Sequence, residues 1–483
     1  MSIYCQIEER KGFIPVDMNT SGDEPRLDSQ KRNIILFVTT IGSFLTPFMG
    51  SSLNVALPVI GDEFDLNALL LSWVPTSYLL AAAMCLVPVG RIADMIGRQK
   101  VFFWGVSIFS IFSLLCGIVN NPTLFLILRV LQGIGGAMIF GTSVAILTGV
   151  FPIQKRGRVL GINVAGVYLG LSLGPFIGGF LTQNLGWRSI FYVNSFLGFL
   201  MLSLIMLFLK IEKEKIVLKN FDFVGALIYS PMLFLIMYGF SLLPRTLGIV
   251  LLLIGIIFIF IFVKHETCVS QPLLNVNLFR INPAFLFSNL AALINYSATN
   301  AVSFLLSLYL QYIKGYLPQQ AGIVLIAQPV TMTILSPLAG RLSDRIQPRI
   351  IASIGMSLTG FGLLFLSFIN SSTSVDLITL YLLILGFGFA LFSSPNTNAV
   401  MSSVEKQYYG IASSTLATMR LLGQMSSMGF VMLIFSIILG KVKITPDVYP
   451  LFLDAFKISF YIFTGLCIIG IFFSLKRGRI ERR

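Results

Sequence analysis

Fourteen apolar runs limit what this chain can become. They lie near residues 34–56, 70–90, 101–119, 123–149, 159–182, 188–210, 223–243, 247–264, 284–312, 320–340, 350–369, 376–400, 407–439 and 456–475. Each is roughly the 20 residues that an α-helix needs to cross the hydrocarbon core of a bilayer. In that medium every backbone N–H and C=O must be satisfied within the segment, so runs of this length are predicted to span as helices. The sequence therefore predicts an all-α integral membrane protein with 14 transmembrane helices, and an even number returns both chain ends to one side.

Composition enters as a test of that reading. Hydrophobic residues make up 56% of the 483 and charged residues 11%, against about 25% charged in soluble chains. A soluble domain this poor in charge could not cover its own surface. A soluble enzyme, a disordered chain and a coiled coil are thereby excluded. The net charge of +14 arises because acids number only 20 against 34 Lys and Arg, so it indicates depletion of acids and no nucleic-acid partner.

Cation placement carries the topology, because cytoplasmic loops collect Lys and Arg. The N-terminal tail (Arg10, Lys11, Arg26, Lys31, Arg32) and every second loop thereafter hold most of them: Arg91, Arg98 and Lys100; Lys155, Arg156 and Arg158; Lys210, Lys213, Lys215 and Lys219; Lys264 and Arg280; Arg341, Arg345 and Arg349; and Lys406. The C-tail adds Lys476, Arg477, Arg479, Arg482 and Arg483, which brings this side to 26 of the 34. The opposite loops hold Arg188, Arg245, Lys314, Lys441, Lys443 and Lys457, while Arg129 and Arg420 fall inside spans. The asymmetry predicts a multi-pass cell-membrane protein with both termini cytoplasmic.

Residues with catalytic chemistry are sparse. Cys5, Cys85, Cys116, Cys268 and Cys467 are scattered and never spaced C-x-x-C, so neither a disulfide framework nor a metal site is expected. His265, the single histidine, follows an apolar run in K-H-E and is read as a solvated loop residue. No nucleophile-and-base set, metal cluster or phosphate loop is visible, so no enzyme activity and no cofactor is expected.

The chain repeats itself. G-R-I-A-D-M-I-G-R at Gly90 to Arg98 returns as G-R-L-S-D-R-I-Q-P-R at Gly340 to Arg349, each after the second helix of a six-helix set. Gly157 and Gly170 of helix 5 have weaker counterparts in Gly410 and Gly423 of helix 13. The predicted organisation is a tail (1–33), a six-helix bundle (34–210), a linker with helices 7 and 8 (211–282), a second six-helix bundle (283–475) and a basic tail (476–483).

With these features the chain resembles the major facilitator superfamily, and its extra helix pair resembles the fourteen-helix drug:proton antiporter branch. The resemblance runs from about Asn33 to the C-tail. It rests on G-R-I-A-D-M-I-G-R, on W-V-x-T-x-Y (Trp73, Tyr78), on R-V-L-Q-G-I-G-G (Arg129, Gln132, Gly133, Gly136) and on G-L-S-L-G-P-F-I-G-G (Gly170 to Gly179). W-R-S-I-F-Y-V-N from Trp187 and N-V-A-L-P from Asn54 complete it.

The resemblance implies two bundles rocking about a midplane cavity. It assigns Gly90, Arg91, Asp94, Gly97 and Arg98 to a latch on the cytoplasmic side, with Gly340 and Asp344 as a weaker counterpart. Gly170, Gly174 and Gly178 recur every four residues and predict close approach of another helix; with Pro175 and Gly179 they form a pattern typical of exporters. Arg129 and Arg420 are costly in lipid and are expected to face a cavity or a partner, either as structural groups or in substrate binding and coupling. Asn54, Tyr78, Gln132, Asn295, Asn300, Gln328 and Asn396 are candidates to face the cavity.

One departure bears on mechanism. The branch usually carries a carboxylate in helix 1, five residues before Asn54, and here that position is Met49. A methionine cannot carry a proton, and a cavity with Arg and no acid should not favour cations. The leading expectation is an efflux transporter of drugs or other small amphipathic compounds, with protons as a candidate coupling ion. The alternative is an exporter of a native, anionic metabolite not coupled through helix 1. The expected partners are a small-molecule substrate and the lipid bilayer, and the chain is read as a monomer.

Overall fold

The computed structural model describes residues 29–208, 221–269, 272–274, 276–405 and 408–478, apart from the side chains at 29, 153, 154 and 344. The tail before residue 29, the cations from Lys210 to Lys219, Lys406, the last five residues and the Asp344 carboxylate lie outside the described residues.

Fourteen helices are long and apolar enough to cross a membrane: α1 (Gln30–Glu63), α2 (Ala68–Ile96), α3 (Arg98–Ile118), α4 (Pro122–Val150), α5 (Lys155–Leu185), α6 (Arg188–Phe208), α7 (Phe223–Leu242), α8 (Thr246–Cys268), α9 (Pro283–Ile313), α10 (Pro318–Ser343), α11 (Pro348–Ser367), α12 (Val375–Ser402), α13 (Tyr409–Ile438) and α14 (Pro446–Lys476). The protein is thus an all-α, multi-pass membrane protein, and no strand occurs among the described residues. The end where α1 begins and α14 finishes is called the terminal face below, and the other end the distal face.

Local chemistry sets many helix starts. Asn67, Asn121, Asp222 and Asn282 each accept a hydrogen bond from the backbone N–H three residues on, satisfying a donor that the first turn leaves open. Pro122, Pro283, Pro318 and Pro348 occupy the first turn, where a missing N–H costs nothing. Gly97 separates α2 from α3 at a φ of 106°, which a side chain would strain.

Two six-helix sets pack by the same rule. In the first, α1 lies on α5 and α6, and α4 lies on α2 and α3; in the second, α9 lies on α13 and α14, and α12 lies on α10 and α11. The glycine correspondence extends to atoms. A Cβ on Gly170 would stand 2.5 Å from the Phe44 carbonyl of α1, and one on Gly423 would stand 2.5 Å from the Leu293 carbonyl of α9. Gly157 and Gly410 have open space in both halves.

The sets meet along α5 with α10 and along α2 with α13. Of the inserted pair, α7 lies on both α2 and α13, while α8, the most apolar of the fourteen, presents most of its surface outward. The backbone of α9 is interrupted at Asn300 and ends in a π-helical turn, Tyr309–Ile313. That turn aims Gln311 and Tyr312 at α1, where Gln311 donates to the Val55 carbonyl at 2.8 Å.

Candidate functional site

Contacts between the two sets gather toward the distal face. The Gln319 N–H donates to Gln183 at 3.2 Å, the Ala68 N–H donates to the Val442 carbonyl at 2.9 Å, and Lys443 pairs with Asp65. Deeper in, the Ser172 and Thr333 hydroxyls meet at 3.0 Å. Toward the terminal face a Cβ added at Gly90, Gly149, Gly157, Gly161 or Gly410 would enter open space. This conformer is closed at the distal face.

The glycine pattern of α5 divides between two neighbours. Gly170, Gly174 and Gly178 all face α1: a Cβ on Gly174 would stand 3.1 Å from the Ser52 N, and one on Gly178 would stand 2.6 Å from the Ser52 Cα. Ser51 and Ser52 donate to the Gly170 and Gly174 carbonyls at 3.2 and 3.0 Å. Gly179 instead faces α10, 2.6 Å from the Pro318 carbonyl by the same measure, and Gly322 of α10 lies against the Pro175 carbonyl. Small residues thus join α1 to α5 within a set and α5 to α10 between sets.

At the terminal face Gly90, Arg91 and Asp94, expected in a loop, are helical, because α2 continues to Ile96. Hydropathy ends where charges begin, but the backbone hydrogen bonds do not. Asp94 pairs with Arg98 at 2.8 Å, both about half exposed, and Arg98 also donates to the Ala145 carbonyl of α4. Arg91 donates to the Pro272 carbonyl in the segment after α8. In the second set, Gly340 has only the Ser394 hydroxyl nearby, and Asn398 donates to Ser343 at 3.0 Å.

Arg129 is 1% exposed and lies inside the first set. Its guanidinium donates to Gln132 and to the Val74 carbonyl, Gln132 donates to Ser113 at 2.6 Å, and the Tyr78 ring covers it at 4.7 Å. Gly133 and Gly136 make room for Tyr78, since a Cβ on Gly133 would stand 2.5 Å from the Tyr78 carbonyl. The cation is therefore satisfied by neutral acceptors and an aromatic face. Met49 is buried in the same set's apolar core, and Asn54 is half-buried on α1.

Arg420 stands differently, about 17 Å along α13 at 1.5 Å per residue. It donates to Thr397 of α12 at 2.5 Å and lies over the Tyr296 ring of α9 at 5.7 Å, while its Nε is buried without a partner. Among the described residues it makes no ion pair. Tyr296 meets Phe389 edge to face at 5.3 Å. Nearby, Asn295 is fully buried with both amide atoms unpartnered, and Asn396 donates to the Ser288 carbonyl while its own oxygen lacks a donor. Each unmade bond to such a group costs about 1–3 kcal/mol. Asn300 donates to the Gln424 carbonyl at 3.4 Å, and Gln328 is half-buried beside Gly386 of α12.

The sequence reading missed three things here. Tyr296 completes the surroundings of Arg420, and only adjacency to Asn295 hinted at it. His265 is not a solvated loop residue: α8 runs on to Cys268, and the His265 ring bonds Asp222 at 2.8 Å with 23% of its side chain exposed. Glu266 beside it, past the end of the predicted run at 264, is fully buried in the last turn of α8.

The sequence profile of the Major Facilitator Superfamily matches residues 39–428 and again 288–482. The riboflavin transporter RibZ of Clostridioides difficile (strain 630) is 31% identical over 447 residues, 91% of this chain and 96% of RibZ. The multidrug resistance protein Stp of Mycobacterium tuberculosis (strain CDC 1551 / Oshkosh) is 30% identical over 406 residues, 83% of this chain and 75% of Stp. Among solved structures, a bacterial homologue of the human lysosomal transporter Spinster, inward-facing and occupied, superposes with a TM-score of 0.64 at 17% identity. That superposition covers 95% of this chain and 98% of the other, and it is a likeness of fold.

Proposed function

The chain belongs to the major facilitator superfamily, and from that premise we propose that it exports small amphipathic organic compounds by alternating access of one site between the two six-helix sets. Relatives named for multidrug resistance and the glycine pattern of α5 support export. The terminal face is read as cytoplasmic, on the cation distribution, and the chain as a monomer in the cell membrane.

Arg420 carries the substrate reading. A guanidinium flanked by Tyr296 and Thr397, with Phe389 behind Tyr296 and no acid paired to it among the described residues, offers an aromatic wall and a charged donor. Such a site favours flat, apolar solutes that bear a carbonyl or an anionic group and disfavours lipophilic cations. The same observation favours a second reading, export of a native anionic metabolite.

Proteoliposomes with an imposed pH gradient test both readings. Matched aromatic solutes, one neutral, one anionic and one cationic, are supplied while flux and internal pH are followed. The expected result is flux of the neutral and anionic solutes, with proton movement in the opposite direction. Preferential flux of the cation would overturn the site reading, and flux with no pH response would overturn proton coupling.

A further inference from the structure

At the terminal end of the inserted pair lie two acids that neither the latch nor the substrate site uses. Asp222 caps α7: its Oδ1 accepts from the Gly225 N–H and lies 2.8 Å from the His265 Nε2. Its Oδ2 is buried without a partner. Glu266, two residues from the end of α8, is 0% exposed; its Oε2 accepts from the Leu274 N–H at 2.9 Å, and its Oε1 is buried without a partner.

The two unpartnered oxygens border the same small space. A Cβ placed on Gly225 would overlap Asp222 Oδ2 and stand 2.8 Å from Glu266 Oε1. Only a residue without a side chain there leaves room for both carboxyl groups. Two carboxylates held this way, each with a bare oxygen out of water, repel and lack the donors that a buried charge requires. One proton on the pair removes one charge and supplies the missing donor. The charged and titratable groups facing the pair are His265 on α8 and Arg91 at the end of α2, the second through the segment it holds at Pro272.

The geometry points to a proton-binding site in which Asp222 and Glu266 share one proton at the foot of α7 and α8. Its loading is tied to the terminal end of α2, because Leu274 bonds Glu266 while Pro272, two residues earlier, accepts from Arg91. His265, the more exposed member, connects the pair to the medium. Here lies an acid outside α1 that can take up a proton in a chain with Met49 in that helix. The site is a property of the folded chain and stands whatever solute is carried.

Infrared spectroscopy of the full chain in lipid nanodiscs tests this directly through the carbonyl stretch of a protonated, buried carboxylic acid. The wild type is expected to hold that band at neutral pH and lose it on alkaline titration. Glu266→Gln and Asp222→Asn, both close in shape to the native residues, should each abolish it, and either suffices if the other fails to fold. Absence of the band from the wild type, or its survival in the folded variants, would overturn the proposal.

Discussion

Gly178 and Gly179 are neighbours on α5 that should respond in opposite ways to the same change. Gly179→Ala places a methyl 2.6 Å from the Pro318 carbonyl oxygen and 2.9 Å from the Gln319 Cα, both backbone atoms that cannot rotate away. Overpacking of this kind costs about 1–3 kcal/mol. The contact joins the two sets at the distal end, so the cost falls only on the distal-closed state, and the equilibrium should shift about 5- to 150-fold toward the distal-open one. Gly178→Ala meets the Ser52 Cα at the same 2.6 Å, but Ser52 belongs to α1 of the same set. Its cost is shared by both states, so it should lower the melting temperature without moving populations. Pulsed EPR between spin labels at Asn184 and Leu317, both exposed near the distal end, reads the populations in a background without the native cysteines. A folded Gly179→Ala protein with wild-type distances, or an equal population shift from Gly178→Ala, would refute the assignment of each glycine to its neighbour.

Three further outcomes are expected. Asp94→Asn removes the partner of Arg98 and should lower transport while leaving the amount of protein in the membrane unchanged; unaltered transport would remove the latch. Arg420→Ala should abolish the preference for anionic over cationic solutes in competition assays, a loss of about tenfold or more for a desolvated charged hydrogen bond. Trp187 is 2% exposed among Phe64, Phe125 and Phe191 and donates to Glu63, which also pairs with Arg188 at 2.6 Å. Trp187→Ala should destabilise by about 3–5 kcal/mol, whereas Arg188→Ala should cost under about 1 kcal/mol because its pair is partly exposed. Thermal denaturation of the two variants separates a packing role from a charge role.

Much of this architecture is legible in the sequence because lipid leaves few choices. An apolar run of sufficient length must span, and Gly170, Gly174 and Gly178 must share a face. What the pattern does not reveal is which helix a face meets: Gly179 differs from Gly178 by a 100° turn about α5, and that turn separates a contact within one set from a contact between sets. Helix ends were misread for a related reason. Apolar character falls off where the hydrocarbon ends, yet α2 and α8 carry their hydrogen bonds on to Ile96 and Cys268. His265 and Glu266 are therefore held in helix geometry against α7, a placement no local pattern in K-H-E encodes. Tyr296 was overlooked because an aromatic in an apolar run looks like packing until Arg420, 124 residues away, is found over its ring.

The inserted pair breaks an otherwise even design. The repeat makes the α5–α10 and α13–α2 seams equivalents, but among the described residues only the second is covered, by α7. Toward the terminal face α7 is fastened to α2, through the Tyr229 and Ser230 hydroxyls donating to the Ala83 and Met84 carbonyls at 3.1 and 3.2 Å. Toward the distal face it is fastened to α13, with Met237 and Phe240 against Gly429 and Ser436 bonded to the Leu243 carbonyl. Rocking of the sets must then be absorbed along α7 between these attachments. Pro231 lies there, directly after Ser230, and removes one backbone bond from the helix. Pro231→Ala restores that bond, so it should raise the melting temperature and slow turnover together, since a stiffer α7 resists motion of the sets on both sides. Wild-type turnover in a variant of raised stability would mean that α7 rides with one set alone and that the attachments to the other slip.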